Sequence, residues 1–456
     1  MSIVKTIKTH FYLIALFAIL MASFFSHSWQ SIFGLSESEE IAVVILVGTA
    51  MFWISEAIPL YITSLGVLFF SILWLLPSLQ AAELPAKKED FLIAFFGDLT
   101  LLFMGGFVLA TLLNKYGISK AIARTIFKKT GTNPSSILLS VIFVSAILSM
   151  WISNTGTAAM MFAIMAPIIM TLPETNPFAK AIALAIPFAC NIGGIGTPIG
   201  TPPNAIAMEY LIQKGINISF FSWMIIAIPL MLVLLFLLWK ILLKIYPPTE
   251  SEIDLKIENI QSFGKRQYAV ITIFALTVLG WLTSSLTGLS TGMVGLFVVL
   301  VAFGSKLLET RDFKSISWDI LFMLGGGLCL GVALQKSGFT DTIAGLIPSQ
   351  GSMIFILILL LTLAAIMTTF MSNTATANLL IPVAIALPQG QLILAVAIAL
   401  MCSSSMALPI STPPNAIAFG SGLLESKEMF KSGLLVTVLA LVGILLACIF
   451  YLPLVI

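Results

Sequence analysis

Residues 151–160 read WISNTGTAAM, and residues 370–379 read FMSNTATANL. Each sets a polar tripeptide (Ser153-Asn154-Thr155, Ser372-Asn373-Thr374) in the middle of a long apolar stretch. Each is followed downstream by a second polar break, Gly200-Thr201-Pro202-Pro203-Asn204 in the first case and Ser411-Thr412-Pro413-Pro414-Asn415 in the second. In hydrocarbon, non-helical backbone persists only where protein or a water-filled cavity satisfies it. Paired interruptions at corresponding places in two halves of a chain are the sequence pointer to a transporter's binding site. The four breaks therefore imply a secondary transporter.

Composition agrees. The chain is 59% hydrophobic and 9% charged, with a mean hydropathy of +1.09, which excludes a soluble globular domain. A net charge of +2, with no basic cluster interleaved with aromatics, gives no reason to expect nucleic acid. Cys190, Cys329, Cys402 and Cys448 lie in apolar segments without metal-like spacing and are expected to be free buried thiols. His10 and His27 have no nearby carboxylate or second ligand. No His-Glu-x-x-His, paired Gly-x-Gly-Asp or buried Ser/His pair is present, so an intramembrane enzyme is not expected.

Span lengths predict an all-α polytopic membrane protein with about 11 transmembrane helices and two re-entrant hairpins. The spans fall at roughly 11–30, 41–56, 58–77, 98–114, 178–212, 219–246, 265–285, 289–306, 318–335, 390–424 and 428–453. The first follows Lys5 and Lys8, but no small-residue cleavage site comes after it, so it reads as a helix rather than a signal peptide. The stretches 135–171 and 351–388 are each interrupted by Ser-Asn-Thr. Neither arm of either reaches a comfortable 20 or so apolar residues, which favours a hairpin over two crossings.

Charge placement orients this layout. With the N-terminus in the cytoplasm, 18 of the 22 Lys and Arg residues fall inside, the exceptions being Lys87, Lys88, Lys214 and Lys336. The C-terminus then lies outside, and the protein is expected as a multi-pass protein of the plasma (inner) membrane. Residues 115–130 set Ile118, Ala121, Ile122, Thr125 and Ile126 against Lys120, Arg124, Lys128 and Lys129, a helix expected along the inner lipid surface.

The repeat extends beyond the breaks. Asp98, Gly105-Gly106, Lys115 and Gly117 recur at one offset as Asp319, Gly326-Gly327, Lys336 and Gly338. Five full spans per unit is an odd number, so the second copy must be inverted. The expected division is 1–40 for the extra first helix, 41–246 for the first repeat, 247–264 for a cytoplasmic linker and 265–456 for the second. Within the repeats lie the hairpins 135–171 and 351–388, the broken helices 178–212 and 390–424, and the helices 219–246 and 428–453. Asp98 and Asp319, near the ends of their spans, read as capping residues, and the glycine pairs as close-packing positions.

Ser, Asn and Thr are the preferred N-cap residues, and proline fits the first turn of a helix. Four helix N-termini at membrane depth are the result. Each carries roughly +0.5 of a charge, so the four supply on the order of +2, the complement of a dianion. No Lys or Arg lies at the expected depth of either motif. The binding residues implied are Ser153, Asn154, Thr155, Thr201, Pro202, Ser372, Asn373, Thr374, Thr412 and Pro413. The same breaks leave hard oxygen ligands for Na⁺. Ser149, Ser153, Asn154 and the backbone at Gly200 make one expected site; Thr368, Met371, Asn373 and Ser411 make its mate.

In LSMWISNTGTAAMM, NIGGIGTPIGTPPNAIA, SNTATANLLIP and ALPISTPPNAIAF the chain resembles the divalent anion/sodium symporter family, over nearly its whole length. The resemblance implies transport of C4-dicarboxylates such as succinate, malate or fumarate, with citrate- or sulfate-selective members and Na⁺-independent exchangers as alternatives. It implies that the Ser-Asn-Thr motifs bind substrate carboxylates and help to build two sodium sites, with Na⁺ co-transported rather than held as a cofactor. It also implies an elevator mechanism in a homodimer, with helices within 41–130 and 265–347 as scaffold. One departure stands out: Thr368-Thr369-Phe370-Met371 carries no carboxylate where many relatives read Thr-Glu-Phe-Thr.

Overall fold

A computed structural model describes residues 34–455 apart from 171, 174–175, 256–261 and 347–351. The expected first span at 11–30 lies outside the described residues. Among the described residues every regular element is a helix. The first half runs α1 (Glu37–Ser55), α2 (Leu60–Ala81), α3 (Asp98–Lys115), α4 (Ile118–Thr130), α5 (Pro134–Ser149), α6 (Asn154–Ile169), α7 (Pro177–Gly194), α8 (Pro202–Gln213) and α9 (Phe220–Ile245). The second half runs α10 (Lys265–Leu282), α11 (Thr291–Gly304), α12 (Trp318–Lys336), α13 (Phe339–Leu346), α14 (Met353–Phe370), α15 (Asn373–Ala386), α16 (Gln391–Ser404), α17 (Pro413–Gly420) and α18 (Ser426–Val455). Short helices at Lys88–Ile93 and Thr310–Lys314 occupy equivalent places before α3 and α12. The element order therefore repeats, from α1/α10 to α9/α18.

Among the described residues, 8 helices are long and apolar enough to cross a membrane. Two of the expected spans are not continuous. The 178–212 span ends at Gly194 and restarts at Pro202, and the 390–424 span ends at Ser404 and restarts at Pro413. The hairpin arms α5, α6 and α15 have 16, 16 and 14 residues, but α14 has 18 apolar residues, long enough by composition to cross.

Contacts between the halves are reciprocal. α3 packs on α11, and α12 packs on α2; α6 touches α17, and α8 touches α15. The first two packings are glycine-dependent on both sides. A Cβ on Gly105 would lie 2.3 Å from Gly295 Cα, and one on Gly326 would lie 2.2 Å from Ser64 Cβ, so neither position admits a side chain. Lys115 donates to Asp312 at 2.6 Å, and Lys336 pairs with Asp90 at 3.1 Å, so the end of α3 and the end of α12 each pair with the short helix of the other half. These pairs, together with Lys180–Glu428 at 2.6 Å, each join residues that the charge-derived layout puts on one face. Gly117 (φ 70°) and Gly338 (φ 87°) turn the chain out of α3 and α12 in the left-handed conformation that glycine adopts without a Cβ clash. All four cysteines are buried and free.

Candidate functional site

The two hairpin tips and the two broken helices converge. Each tip is built by a cap: Ser153 Oγ accepts from the Gly156 N–H at 3.2 Å, and Ser372 Oγ accepts from the Ala375 N–H at 3.1 Å. The caps start α6 and α15 and aim the first turns of those helices inward. The tripeptides then repeat one tether. Ser149 Oγ donates to Asn154 Oδ1 at 2.6 Å, and Thr368 Oγ1 donates to Asn373 Oδ1 at 2.6 Å. Both hydroxyls belong to fully buried residues one turn upstream, so each Asn carboxamide is oriented by the arm that precedes it.

The unwound segments between α7 and α8, and between α16 and α17, are held by the last residue of each Thr-Pro-Pro-Asn. Asn204 Nδ2 donates to the Gly194 and Thr197 carbonyls at 3.0 and 2.8 Å. Asn415 Nδ2 donates to the Met406 and Leu408 carbonyls, both at 3.0 Å. The Thr197 and Leu408 carbonyls also receive the Gly200 and Ser411 N–H groups at 3.3 and 3.1 Å, so each Asn amide completes the pairing of an unwound, buried backbone in which an unpaired carbonyl would be costly. The halves are also stitched to each other here. Asn191 Nδ2 donates to Thr412 Oγ1 at 3.0 Å, and Ser403 Oγ donates to Thr201 Oγ1 at 3.3 Å.

All four breaks open on one cavity of about 460 Å³. Ser153, Asn154, Thr155, Thr201, Pro202, Ser372, Asn373, Thr374, Thr412 and Pro413 all line it. No Lys, Arg or His lines it among the described residues. Helix starts, hydroxyls and carboxamides thus face a common space in which an anion would meet N–H and O–H donors without a fixed cation. The tips are unequally open: Ser153 and Thr155 are exposed, whereas Thr374 is buried.

The sequence profile of the citrate transporter family matches residues 50–402. A sodium-dependent dicarboxylate transporter of Staphylococcus saprophyticus is 30% identical over 92% of this chain and 87% of its own length. One from Staphylococcus aureus is 31% identical over 89% of this chain and 84% of its own. The chain belongs to the divalent anion/sodium symporter family. Like the members of that family it is a membrane transporter and not an enzyme. The fold is shared with two solved transporter structures. YdaH of Alcanivorax borkumensis gives a TM-score of 0.57 at 13% identity, over 80% of this chain and 87% of that one. MtrF of Neisseria gonorrhoeae, an antimetabolite efflux pump, gives 0.54 at 10% identity, over 79% and 82%.

Within this transporter the residues expected to hold sodium are placed as follows. Gly200 and Ser411 line the cavity together with the tips, whereas Ser149, Thr368 and Met371 are buried behind it. Gly200 must be glycine because its turn folds back on α7: a Cβ would lie 2.4 Å from the Gly194 carbonyl oxygen. Ser411 Oγ accepts from the Leu408 N–H at 3.0 Å and donates to the Thr369 carbonyl at 3.1 Å. Thr368 Oγ1 is also 3.0 Å from the Cys402 carbonyl. Each group therefore combines a hydroxyl, a carboxamide oxygen and unwound backbone, the donor set of a hard monovalent cation.

Asn191, Asn204 and Asn415 have parts in this site that were not read from the sequence. The signal for the last two was present, since each is the fourth residue of a repeated Thr-Pro-Pro-Asn, a position that proline and the cap do not explain. Asn191 had no such signal; its neighbour Gly193-Gly194 explains only the packing. The capping expectation holds for Asp98, which accepts from the Thr291 Oγ1 and the Gly292 N–H at 3.2 and 3.0 Å and from the Ser290 hydroxyl. Asp319 differs: it makes no such cap and lines the cavity instead.

Proposed function

We propose that the chain imports C4-dicarboxylates such as succinate, malate or fumarate in symport with Na⁺. The observation that carries this reading is the single cavity onto which both Ser-Asn-Thr tips and both Thr-Pro-Pro breaks open, with no basic residue among the described residues that line it. Helix N-termini and hydroxyls recognise the two carboxylates of the substrate. Reversible binding follows, because partial charges hold a dianion less firmly than a buried Arg or Lys would. Sodium occupies the paired groups at Ser149, Ser153, Asn154 and Gly200 and at Thr368, Met371, Asn373 and Ser411. Each Asn contributes to a cation group and also presents its carboxamide to the substrate cavity, which couples the two bindings. Both Staphylococcus relatives carry sodium dependence and dicarboxylate in their names, in support of this pairing.

The reciprocal packing of the halves supports an inverted repeat with a pseudo-two-fold axis in the membrane plane. The hairpins, broken helices, α9 and α18 then form a transport unit that slides as an elevator against a dimeric scaffold of the remaining helices. The N-terminus lies in the cytoplasm. On that orientation Pro59, Leu60, Tyr61 and Asp319, all cavity-lining, are at the inner ends of their helices, in support of an inward-facing reading.

Labelled succinate uptake into proteoliposomes tests the proposal. Accumulation driven by an inward Na⁺ gradient, and lost when K⁺ replaces Na⁺, is the expected result. Uptake that ignores Na⁺ but requires preloaded dicarboxylate would overturn symport in favour of exchange. The carboxylate-free Thr368-Thr369-Phe370-Met371 would then be the first segment to revert.

A further inference from the structure

Asp98 and Asp319 stand in the first turns of α3 and α12, equivalent helices of the two halves, yet their carboxylates meet different surroundings. Asp98 sits at the start of α11 and takes donors from Ser290, Thr291 and Gly292. That approach depends on Gly292, where a Cβ would lie 2.4 Å from Asp98 Oδ1. The mate of this contact is fixed by the packing glycines. Gly105 meets Gly295, and Gly326 meets Ser64, so Gly292 corresponds to Tyr61 and Ser290-Thr291 to Pro59-Leu60. The start of α2 thus offers no hydroxyl at the places of Ser290 and Thr291, has a proline in place of one N–H, and carries a Tyr side chain where Gly292 left room. Asp319 is therefore not drawn into a cap. It is exposed, has no hydrogen-bond or ion-pair partner among the described residues, and is the one charged side chain among them that lines the cavity.

We propose that Asp319 sets the charge of the anion this cavity accepts, favouring dianions over trianions. The proposal rests on the transport reading above and narrows its substrate class. Every negative charge on the substrate is repelled by the carboxylate, so a tricarboxylate is penalised by one more interaction than a dicarboxylate. Apolar residues that line the same cavity, such as Phe103, Phe107 and Ile320, limit the screening that bulk water would give. A cation held at Asp319 is the poorer occupant. Among the described residues no second carboxylate lines the cavity, and the starts of α2 and α12 turn their positive ends towards it.

The test is competition in proteoliposomes: citrate against labelled succinate, at one Na⁺ gradient and neutral pH. In Asp319→Asn the half-inhibitory concentration of citrate, relative to the KM for succinate, should fall about fivefold, a figure already discounted for solvent exposure. Asp98→Asn, its charge already engaged by three donors, should leave that ratio where it is in the wild type. Should Asp319→Asn express poorly, Asp319→Ser and the citrate- and succinate-induced shifts in melting temperature of detergent-solubilised protein read the same ratio. An unmoved ratio overturns the proposal, and so does a changed Na⁺ half-saturation with the ratio fixed, which would make Asp319 a cation ligand. A wild type that takes up no succinate at all would sink the transport reading itself, a distinct result.

Discussion

Where the first broken span reads Gly193-Gly194 and then Gly200, the second reads Ser404-Ser405 and then Ser411 at the same offset. The glycines work by absence. A Cβ on Gly193 would lie 2.4 Å from Ala146 Cα, and one on Gly194 would lie 2.8 Å from Asn154 Oδ1. α5 and its tip therefore seat directly on the backbone of α7. The serines work by bonding: Ser404 Oγ donates to the Leu400 carbonyl at 2.7 Å, and Ser405 Oγ donates to the Ala365 carbonyl at 3.1 Å. Ser405 also shares a hydrogen bond of 2.9 Å with Thr369 Oγ1. One pseudo-symmetric position is thus held by close contact in the first half and by hydroxyls in the second. Substitution should be a matter of sterics in the one and of single hydrogen bonds in the other.

The largest expected effect breaks this comparison most directly. Gly193→Val drives a branched side chain into the Ala146 backbone, which cannot retreat as a flexible side chain could. It should leave little folded protein, as overpacking of this kind costs several kcal/mol, on the order of 3 or more. Ser404→Ala removes one hydroxyl and should cost about 1 kcal/mol. Melting curves followed by fluorescence-detected size exclusion measure both. Similar curves for the two variants would mean that the halves are held alike.

The next effect falls on function rather than folding. Asn154→Ala and Asn373→Ala should each lower succinate uptake by about 100-fold, since each removes a carboxamide oriented by a buried hydroxyl and facing the cavity. The two should differ in stability. Thr368 keeps the Cys402 carbonyl within reach when Asn373 is gone, so Asn373→Ala should melt closer to the wild type than Asn154→Ala. Uptake within twofold of wild type in either folded variant would remove that Asn from the site.

The legible part of this molecule was whatever repeats. Four breaks, two Asp, two Lys and two sets of glycines stand in register. From them the helical layout, the pairing of Gly105 with Gly326 as packing positions and the ten cavity-lining residues could be named. What could not be read was where the copies diverge. The sequence shows Tyr61 and Gly292 as unrelated residues until packing sets them in equivalent places, and only then does Asp319 lose its cap. Asn191 was hidden for a similar reason: its partner Thr412 is in the other half, and no spacing rule connects them. The helix ends inside the broken spans cannot be read from the sequence because apolar residues continue through them, whereas the unwound segments are held by Asn204 and Asn415 binding carbonyls.

The smallest effect lies at the exchanged ion pairs, Lys115–Asp312 and Lys336–Asp90. Asp312 is held below the usual carboxylate range. Burial pushes against this, but the hydrogen bond from Lys115 and the Glu309 N–H at 2.7 Å outweigh it. A carboxylate whose folded pKa is depressed stabilises the fold above its unfolded pKa of about 3.9 and loses that contribution as pH falls through the folded value. Asp312→Asn should therefore melt slightly below wild type at pH 7. The gap should close as both proteins are taken below a pH of about 4, where the native carboxylate protonates. The pair is close to the surface, so the difference should stay under about 1 kcal/mol and shrink in high salt. Asp90→Asn makes the same cut in the other half. Its Lys336 partner also donates to the Pro85 carbonyl at 2.9 Å, a bond that survives the substitution. The second cut should accordingly cost less than the first, and a larger loss in Asp90→Asn would show that the two ion pairs are not the equivalents their positions suggest.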